Sequence, residues 1–233
     1  MARIIPGAIP SPNIWNHPEI YELENRAVDP EGVADAAMTA IRDWAGGTVL
    51  DIGCGTGFHL PAYARTAARV IGVEPHPRLA ELAARRCRDL PNVTVRTGSA
   101  QALPVPDRSV DVAVARWAYF FGPGCEPGLA ELNRVIRRGG AAFVVDIDAT
   151  RGAFGRWFRR SLPSYDPSAV EAFWSRQGWH RRELDLRMAF ADRSALEAVL
   201  RIEFTPQVAA EAIAETPGLV IDYPNVLRWR LWP

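Results

Sequence analysis

Lysine is missing from this chain: all 27 basic residues are arginine, set against 27 acidic residues for a net charge of zero. Without lysine there is no side-chain amine to form a Schiff base or serve as an amine base. No basic stripe with interleaved aromatics runs along the chain, so nucleic acid is not an expected partner. The charges are nevertheless uneven. Residues 1–35 hold Arg3 and Arg26 against six acids, whereas 151–187 hold eight arginines against four acids. Cysteine is scarce, and Cys54, Cys87 and Cys125 stand far apart in no metal-ligand spacing. No metal is expected, and sparse, odd-numbered cysteine suits a reducing compartment. No apolar run approaches the roughly 18 residues of a membrane span. The start, Met-Ala-Arg-Ile-Ile-Pro-Gly, lacks the apolar stretch of a signal peptide. The expectation is a cytoplasmic protein with no membrane partner.

What is present centres on residues 48–58, Thr-Val-Leu-Asp-Ile-Gly-Cys-Gly-Thr-Gly-Phe. Val49, Leu50 and Ile52 form a short apolar run suited to a buried strand. Gly53, Gly55 and Gly57 follow, and glycine at that alternation permits positive φ and lets a ligand lie on the backbone. A helical stretch over 58–65 adds free N–H groups and a partial positive charge. The dinucleotide pattern G-x-G-x-x-G would place its third glycine at Phe58; here it falls at Gly57. Arg69-Val-Ile-Gly-Val-Glu74 reads as a second strand. Its terminal Glu74 lies about 20 residues past the glycines, where a carboxylate can accept both ribose hydroxyls of an adenosine.

The string Asp51-Ile-Gly-Cys-Gly-Thr-Gly57 resembles motif I, D/E-x-G-x-G-x-G, of the class I S-adenosylmethionine (SAM) methyltransferases. Three more segments, in order, are similar to that superfamily. Gly98-Ser-Ala-Gln-Ala-Leu-Pro-Val105 resembles G-D-A-x-x-L-P-F, with Ser99 where an aspartate often meets the adenine amino group. Asp107-Arg-Ser-Val-Asp111 resembles F-D-x-S-F-D. Residues 129–140 resemble L-x-E-x-x-R-V-L-R-P-G-G, with Arg138 for the proline. The resemblance spans about residues 48–148. It implies an α/β, Rossmann-like, seven-stranded, mostly parallel sheet of the type 11 kind, with helices on both faces and an antiparallel final strand.

It also implies a cofactor, SAM, with S-adenosylhomocysteine (SAH) as product, and a cofactor set. That set comprises Asp51, Gly53, Cys54, Gly55, Gly57, Glu74, Pro75, Ser99, Ala100, Gln101 and Arg116, with Tyr21 and Arg26 from an N-terminal lid. Arg116-Trp-Ala-Tyr-Phe-Phe121 follows a fourth strand at 110–115, and that position faces the transferred methyl in the family. The acceptor residues implied are Trp15, Trp117, Tyr119, Trp157 and Tyr165, with His17 and Tyr119 as candidate bases. The acceptor expected is a small organic molecule. The alternatives are an RNA methyltransferase or a non-catalytic SAM-binding protein.

Along the chain, residues 1–47 read as a lid and helical extension, 48–148 as the SAM-binding core, 149–179 as an insertion, and 180–233 as the end of the sheet, all in one domain. Helices are expected at Pro18–Ala27, from Asp29-Pro30 to Trp44, from Pro77, across 192–200, and at Pro206–Glu215. The N-terminal aromatics either close over the cofactor or simply pack their helix onto the domain. The insertion carries seven large aromatics and arginines at 151, 156, 159, 160 and 176. It is expected to cover the acceptor, with the arginines available for an acidic group. Gly139-Gly140 is expected to end a helix before a fifth strand at 141–147, with later strands at 183–190 and from Leu219.

Overall fold

A computed structural model of the chain describes residues 4–5 and 8–233. Three helices come first, α1 (Pro12–Asn16), α2 (Pro18–Ala27) and α3 (Val33–Ile41). Alternating units follow: β1 (Thr48–Ile52), α4 (Leu60–Ala64), β2 (Arg69–Glu74), α5 (Pro77–Arg86), β3 (Val93–Thr97), β4 (Val110–Arg116), α6 (Glu126–Val135) and β5 (Ile136–Ile147). The chain ends with α7 (Gly152–Ser161), α8 (Pro167–Arg176), β6 (His180–Ala189), α9 (Arg193–Glu203), α10 (Pro206–Glu215) and β7 (Val220–Trp232).

The strands form one seven-stranded sheet in the order β3-β2-β1-β4-β5-β7-β6. The pairings from β3 to β5 are parallel. β7 runs antiparallel between β5 and β6. Parallel strands must be covered on both faces, and the alternation along each strand supplies two cores. Val49, Val70, Val112, Val114 and Phe143 face one layer, which includes α3, α7, α9 and α10. Leu50, Ile71, Ala113 and Val144 face the other, which includes α6 and α8.

Several boundaries differ from the sequence expectation. The second N-terminal helix begins at Val33, not at Pro30, because the Asp29 side chain accepts from the Val33 and Ala34 N–H groups at 2.8 and 2.9 Å. The helix after the glycine turn is short, Leu60–Ala64. Gly139-Gly140 does not end α6, which stops at Val135; both glycines lie inside β5. Ile136 pairs with Val110 and Ala141 with Val112, so residues 137–140 bulge from the β4 ladder, while Gly140 pairs with Trp232 of β7. Asp192 caps α9, accepting the Ala195 N–H at 2.8 Å. No helix among the described residues is long and apolar enough to cross a membrane.

Candidate functional site

The carboxyl ends of β3, β2, β1 and β4 share one edge of the sheet, where ligands bind in open α/β folds. Here the Gly53 and Cys54 N–H groups both donate to the Val73 carbonyl, at 2.8 and 3.1 Å. That ties the glycine turn to the end of β2. Gly55 N–H then donates to Glu74 Oε2 and His76 N–H to Oε1, both at 2.9 Å. Burial pushes the Glu74 carboxyl up to about 6, against the pull of the His76 and Gly55 amides. Each oxygen keeps an acceptor site for a ligand hydroxyl.

Asp51 lines the floor beside this turn. Burial pushes its carboxyl up to about 7; Arg116 opposes that shift and Glu74 adds to it. Among the described residues, its carboxylate has no hydrogen-bond partner. Arg116 is buried at the end of β4, donating Nε–H to the Tyr63 hydroxyl at 3.0 Å and an Nη2–H to Asp35. His59 lines the pocket next to it. Burial, then Arg116 and Arg86, hold its imidazole well below the usual histidine range. It is therefore neutral at neutral pH.

Beyond Arg116 the backbone turns through Trp117 and Tyr119, both left-handed at φ 49° and 54°. Such values are uncommon outside glycine and are kept only where the surroundings over-determine them. Trp117 is fixed by its Nε1–H donating to Asn225 Oδ1 of β7 at 2.7 Å, and by Tyr223 at 5.9 Å between ring centroids. Tyr119 lies over Gly128, where any Cβ would strike its ring. Burial raises its phenol, opposed by the Gly128 backbone N–H. Phe120 is core, while Phe121 is 39% exposed and lines the pocket.

The roof comes from the N-terminus. Ile9, Pro10, Ile14, Trp15, Tyr21 and Asn25 complete the lining. Trp15 packs on His76 at 5.1 Å. Arg86 of α5 donates to Glu22 of α2 at 2.6 Å, and Thr56 donates to the same carboxylate at 3.2 Å. Arg86 of α5 is thus held by α2, while Arg85 and Glu81 pair on the exposed side of α5. Of the lid and helical extension expected over 1–47, residues 1–3, 6 and 7, Arg3 among them, lie outside the described residues.

The structure brings together Trp15, Tyr21, Asp51, Gly53, Cys54, Gly55, Glu74, Pro75, Ser99, Ala100, Gln101, Arg116, Trp117 and Tyr119. It leaves five expected residues out. His17 is exposed, and Arg26 points to solvent with Glu22 at 3.8 Å. Gly57 packs against α5, where a Cβ would lie 2.9 Å from that of Ala83. Trp157 is buried between Phe154 and Phe204, with its Nε1–H on Glu215 at 3.1 Å. Tyr165 packs edge-on against Phe158.

No residue of 149–179 reaches the pocket among its lining. The insertion's aromatics fill the gap between sheet and helices, and Phe154, Trp157, Phe173, Trp174 and Trp179 are all buried. Four of its five arginines are engaged elsewhere: Arg151 with Asp185, Arg156 with Glu215, Arg160 with Glu211, and Arg159 on the Ala149 carbonyl. Conversely, the lining also includes Ile9, Ile14, Asn25, Thr56, Phe58 and His59, none of which stands in the expected cofactor or acceptor set. Asn25 had a signal, because it stands four residues after Tyr21 on the same helix face.

The family model described as a methyltransferase domain matches residues 50–144. A demethylmenaquinone methyltransferase of Tropheryma whipplei is 31% identical over 146 residues, 58% of this chain. The match spans 61% of that relative's length. An uncharacterized methyltransferase of Mycobacterium sp. strain JLS is 32% identical over 203 residues, 86% of this chain and 74% of that protein. Among solved structures, the YcgJ protein of Bacillus subtilis superposes with a TM-score of 0.62 at 19% identity, covering 85% of this chain and 97% of that one. That last likeness is one of fold.

Proposed function

This chain belongs to the class I methyltransferase family, and from that premise we propose that it binds SAM under its N-terminal roof and methylates a small, largely apolar organic acceptor, releasing SAH. The observation that carries this is the continuity of the lining along one sheet edge. It runs from Ser99–Gln101 after β3, through Glu74 on β2 and the glycine turn on β1, to Arg116–Phe121 after β4. These residues fit the cofactor. Glu74 keeps two acceptor sites for ribose hydroxyls, a Cβ at Gly53 or Gly55 would crowd the turn, and the unpartnered Asp51 carboxylate awaits a donor such as the amino-acid ammonium.

Bound there, SAM supplies a methyl on a sulfonium, already a good leaving group. What this chain contributes is position and exclusion of water. The rigid Trp117–Tyr119 turn fixes one wall, and the roof helices cover the other. The wall residues Ile9, Pro10, Trp117, Ala118, Tyr119 and Phe121 offer broad apolar contact. The cation in the lining, Arg116, gives Nη2–H to Asp35 and Nε–H to Tyr63 and keeps only Nη1 open, which leaves little to pair with an acidic group on the acceptor. Burial makes the Tyr119 phenol harder to ionise, and His17 lies away from the pocket. The acceptor fitting this wall is therefore one that reacts without a strong protein base, such as an activated ring carbon, a thiolate or a neutral amine. The acceptor in the Tropheryma relative's name, demethylmenaquinone, is an organic molecule and neither RNA nor protein, which accords with that wall.

The test is transfer of label from methyl-labelled SAM to panels of apolar quinols, phenols, thiols, amines and carboxylic acids, and separately to RNA and protein extracts. Turnover confined to apolar small molecules is expected. Labelling confined to RNA or protein, or to acidic acceptors, would overturn the reading.

A further inference from the structure

His59 stands two residues past the last glycine of the turn, immediately before α4, and it lines the pocket with Phe58 and Arg116. Its ring lies edge-on to Phe58 at 5.1 Å and 6.4 Å from Tyr63. Among the described residues, neither ring nitrogen has a hydrogen-bond partner. The charged groups that act on it are cationic, Arg116 on β4 and Arg86 on α5. Their own partners are Asp35 on α3 and Glu22 on α2. Arg116 gives Nε–H to Tyr63 and Nη2–H to Asp35, leaving Nη1 without a partner.

Two guanidiniums beside an open imidazole make a place for an anion. The order of strands says which anion. With adenine beside Ser99–Gln101 and ribose on Glu74, the amino-acid tail of the cofactor comes to the edge of β1 and β4. Asp51 is the acceptor there, and Arg116 Nη1 and the His59 imidazole are donors. We infer that His59, together with Arg116, receives the amino-acid carboxylate of SAM and takes up a proton from solvent as the cofactor binds. This rests on the SAM pocket proposed above. A carboxylate set against the imidazole offsets the two guanidiniums and favours the charged ring, so proton and cofactor bind together.

Calorimetry tests this without turnover. SAH and 5′-methylthioadenosine, which lacks the amino-acid group, are titrated into the full chain at pH 7.5 in buffers of different ionisation enthalpy. Asp51 also exchanges protons when an ammonium arrives, so the quantity read is the difference between wild type and His59→Gln at one pH. The wild type is expected to take up more protons with SAH than His59→Gln does, with no such difference for methylthioadenosine. SAH affinity should fall about tenfold in His59→Ala, the scale of a lost charge-assisted hydrogen bond, while methylthioadenosine affinity stays constant and reports an intact fold. Equal proton uptake in wild type and His59→Gln, with SAH still bound, would overturn the role given to His59. So would unchanged SAH affinity in His59→Ala with only turnover lost, which would make the imidazole a base for the acceptor. Failure of both ligands to bind the wild type would instead overturn the pocket assignment itself.

Discussion

Gly53, at φ +73°, lies where a Cβ would come within 2.6 Å of the Ala118 Cβ on the rigid wall after β4. Gly55, at φ +54°, meets the end of the Ile14 side chain from the roof, at 2.8 Å. Gly57, at φ +76°, meets Ala83 of α5, 2.9 Å from its Cβ and 3.0 Å from its Cα, away from the pocket. The three glycines of one motif therefore hold apart a wall, a roof and a supporting helix. Gly53→Ala and Gly57→Ala should each cost about 2–4 kcal/mol, from left-handed backbone strain plus overlap. Only Gly53→Ala should also remove SAH binding, because it pushes the Ala118 wall. Thermal melts and calorimetry well below the melting temperature separate the two effects. SAH affinity equal to wild type in Gly53→Ala would show that the cofactor does not lie on this turn. These glycines, Asp51 and Glu74 were legible in the sequence because a turn writes its backbone requirements into adjacent residues. His59 was not, because nothing local marks an imidazole whose meaning comes from Arg116, far along the chain.

Among the elements, α1 and α2 are fastened to the body by an acidic contact. Asn13 Nδ2–H donates to Glu203 Oε1 of α9 at 2.6 Å. Glu24 of α2 is buried against Glu203, with the Tyr21 and Tyr223 phenols near both. Burial first, then the Glu203 charge and the hydrogen bond from one carboxyl to the other, raise Glu24 well above the ordinary range; burial raises Glu203 as well, against its hydrogen bonds to Asn13 and Glu24. Both groups hold their protons more firmly folded than unfolded. Their contribution is thus fully present below the unfolded carboxylate range of about 4.3 and is lost as pH rises through the raised folded values. Glu203→Gln keeps an oxygen for Asn13 and supplies an N–H to Glu24. It should raise the melting temperature at pH 8, by about 2–4 °C per kcal/mol relieved, with little gain at pH 5. A gain equal at both values would mean the two carboxyls do not share a proton. The α2 boundaries were readable from Pro18 and the amphipathic spacing. The side of the sheet taken by the aromatic insertion was not, since apolar content shows that a helix packs without showing against what. The end of α6 departs from its local signal for a related reason: pairing of Ile136 with β4 and of Gly140 with β7 overrides the helix stop of Gly139-Gly140.

At the scale of the molecule, the pocket lies between a sheet edge built from parts distant in sequence and a roof drawn from the first residues described. Ile14 stands over Gly55, Trp15 over His76, Glu22 on Arg86 and Asn13 on Glu203. A ligand beneath these contacts is expected to enter and leave by opening of this roof. α1 is only five residues long, with the single buried side chain Ile14. Few buried apolar contacts place it at the low-stability end of the structure, and lid openings of this kind fall in the microsecond-to-second range. Trp15 and Trp117 line the pocket and report on its occupancy. In stopped-flow fluorescence, the observed rate of SAH binding to the wild type should level off at high SAH, at the opening rate. Asn13→Ala removes the bond to Glu203 along with the Asn13 Oδ1 acceptor of the Ile14 N–H. It should raise that plateau and speed SAH release, with a smaller change in overall affinity. A rate that rises linearly with SAH and is the same in Asn13→Ala would mean that the N-terminal helices are fixed packing elements and that ligands pass the mouth beside Phe121 instead.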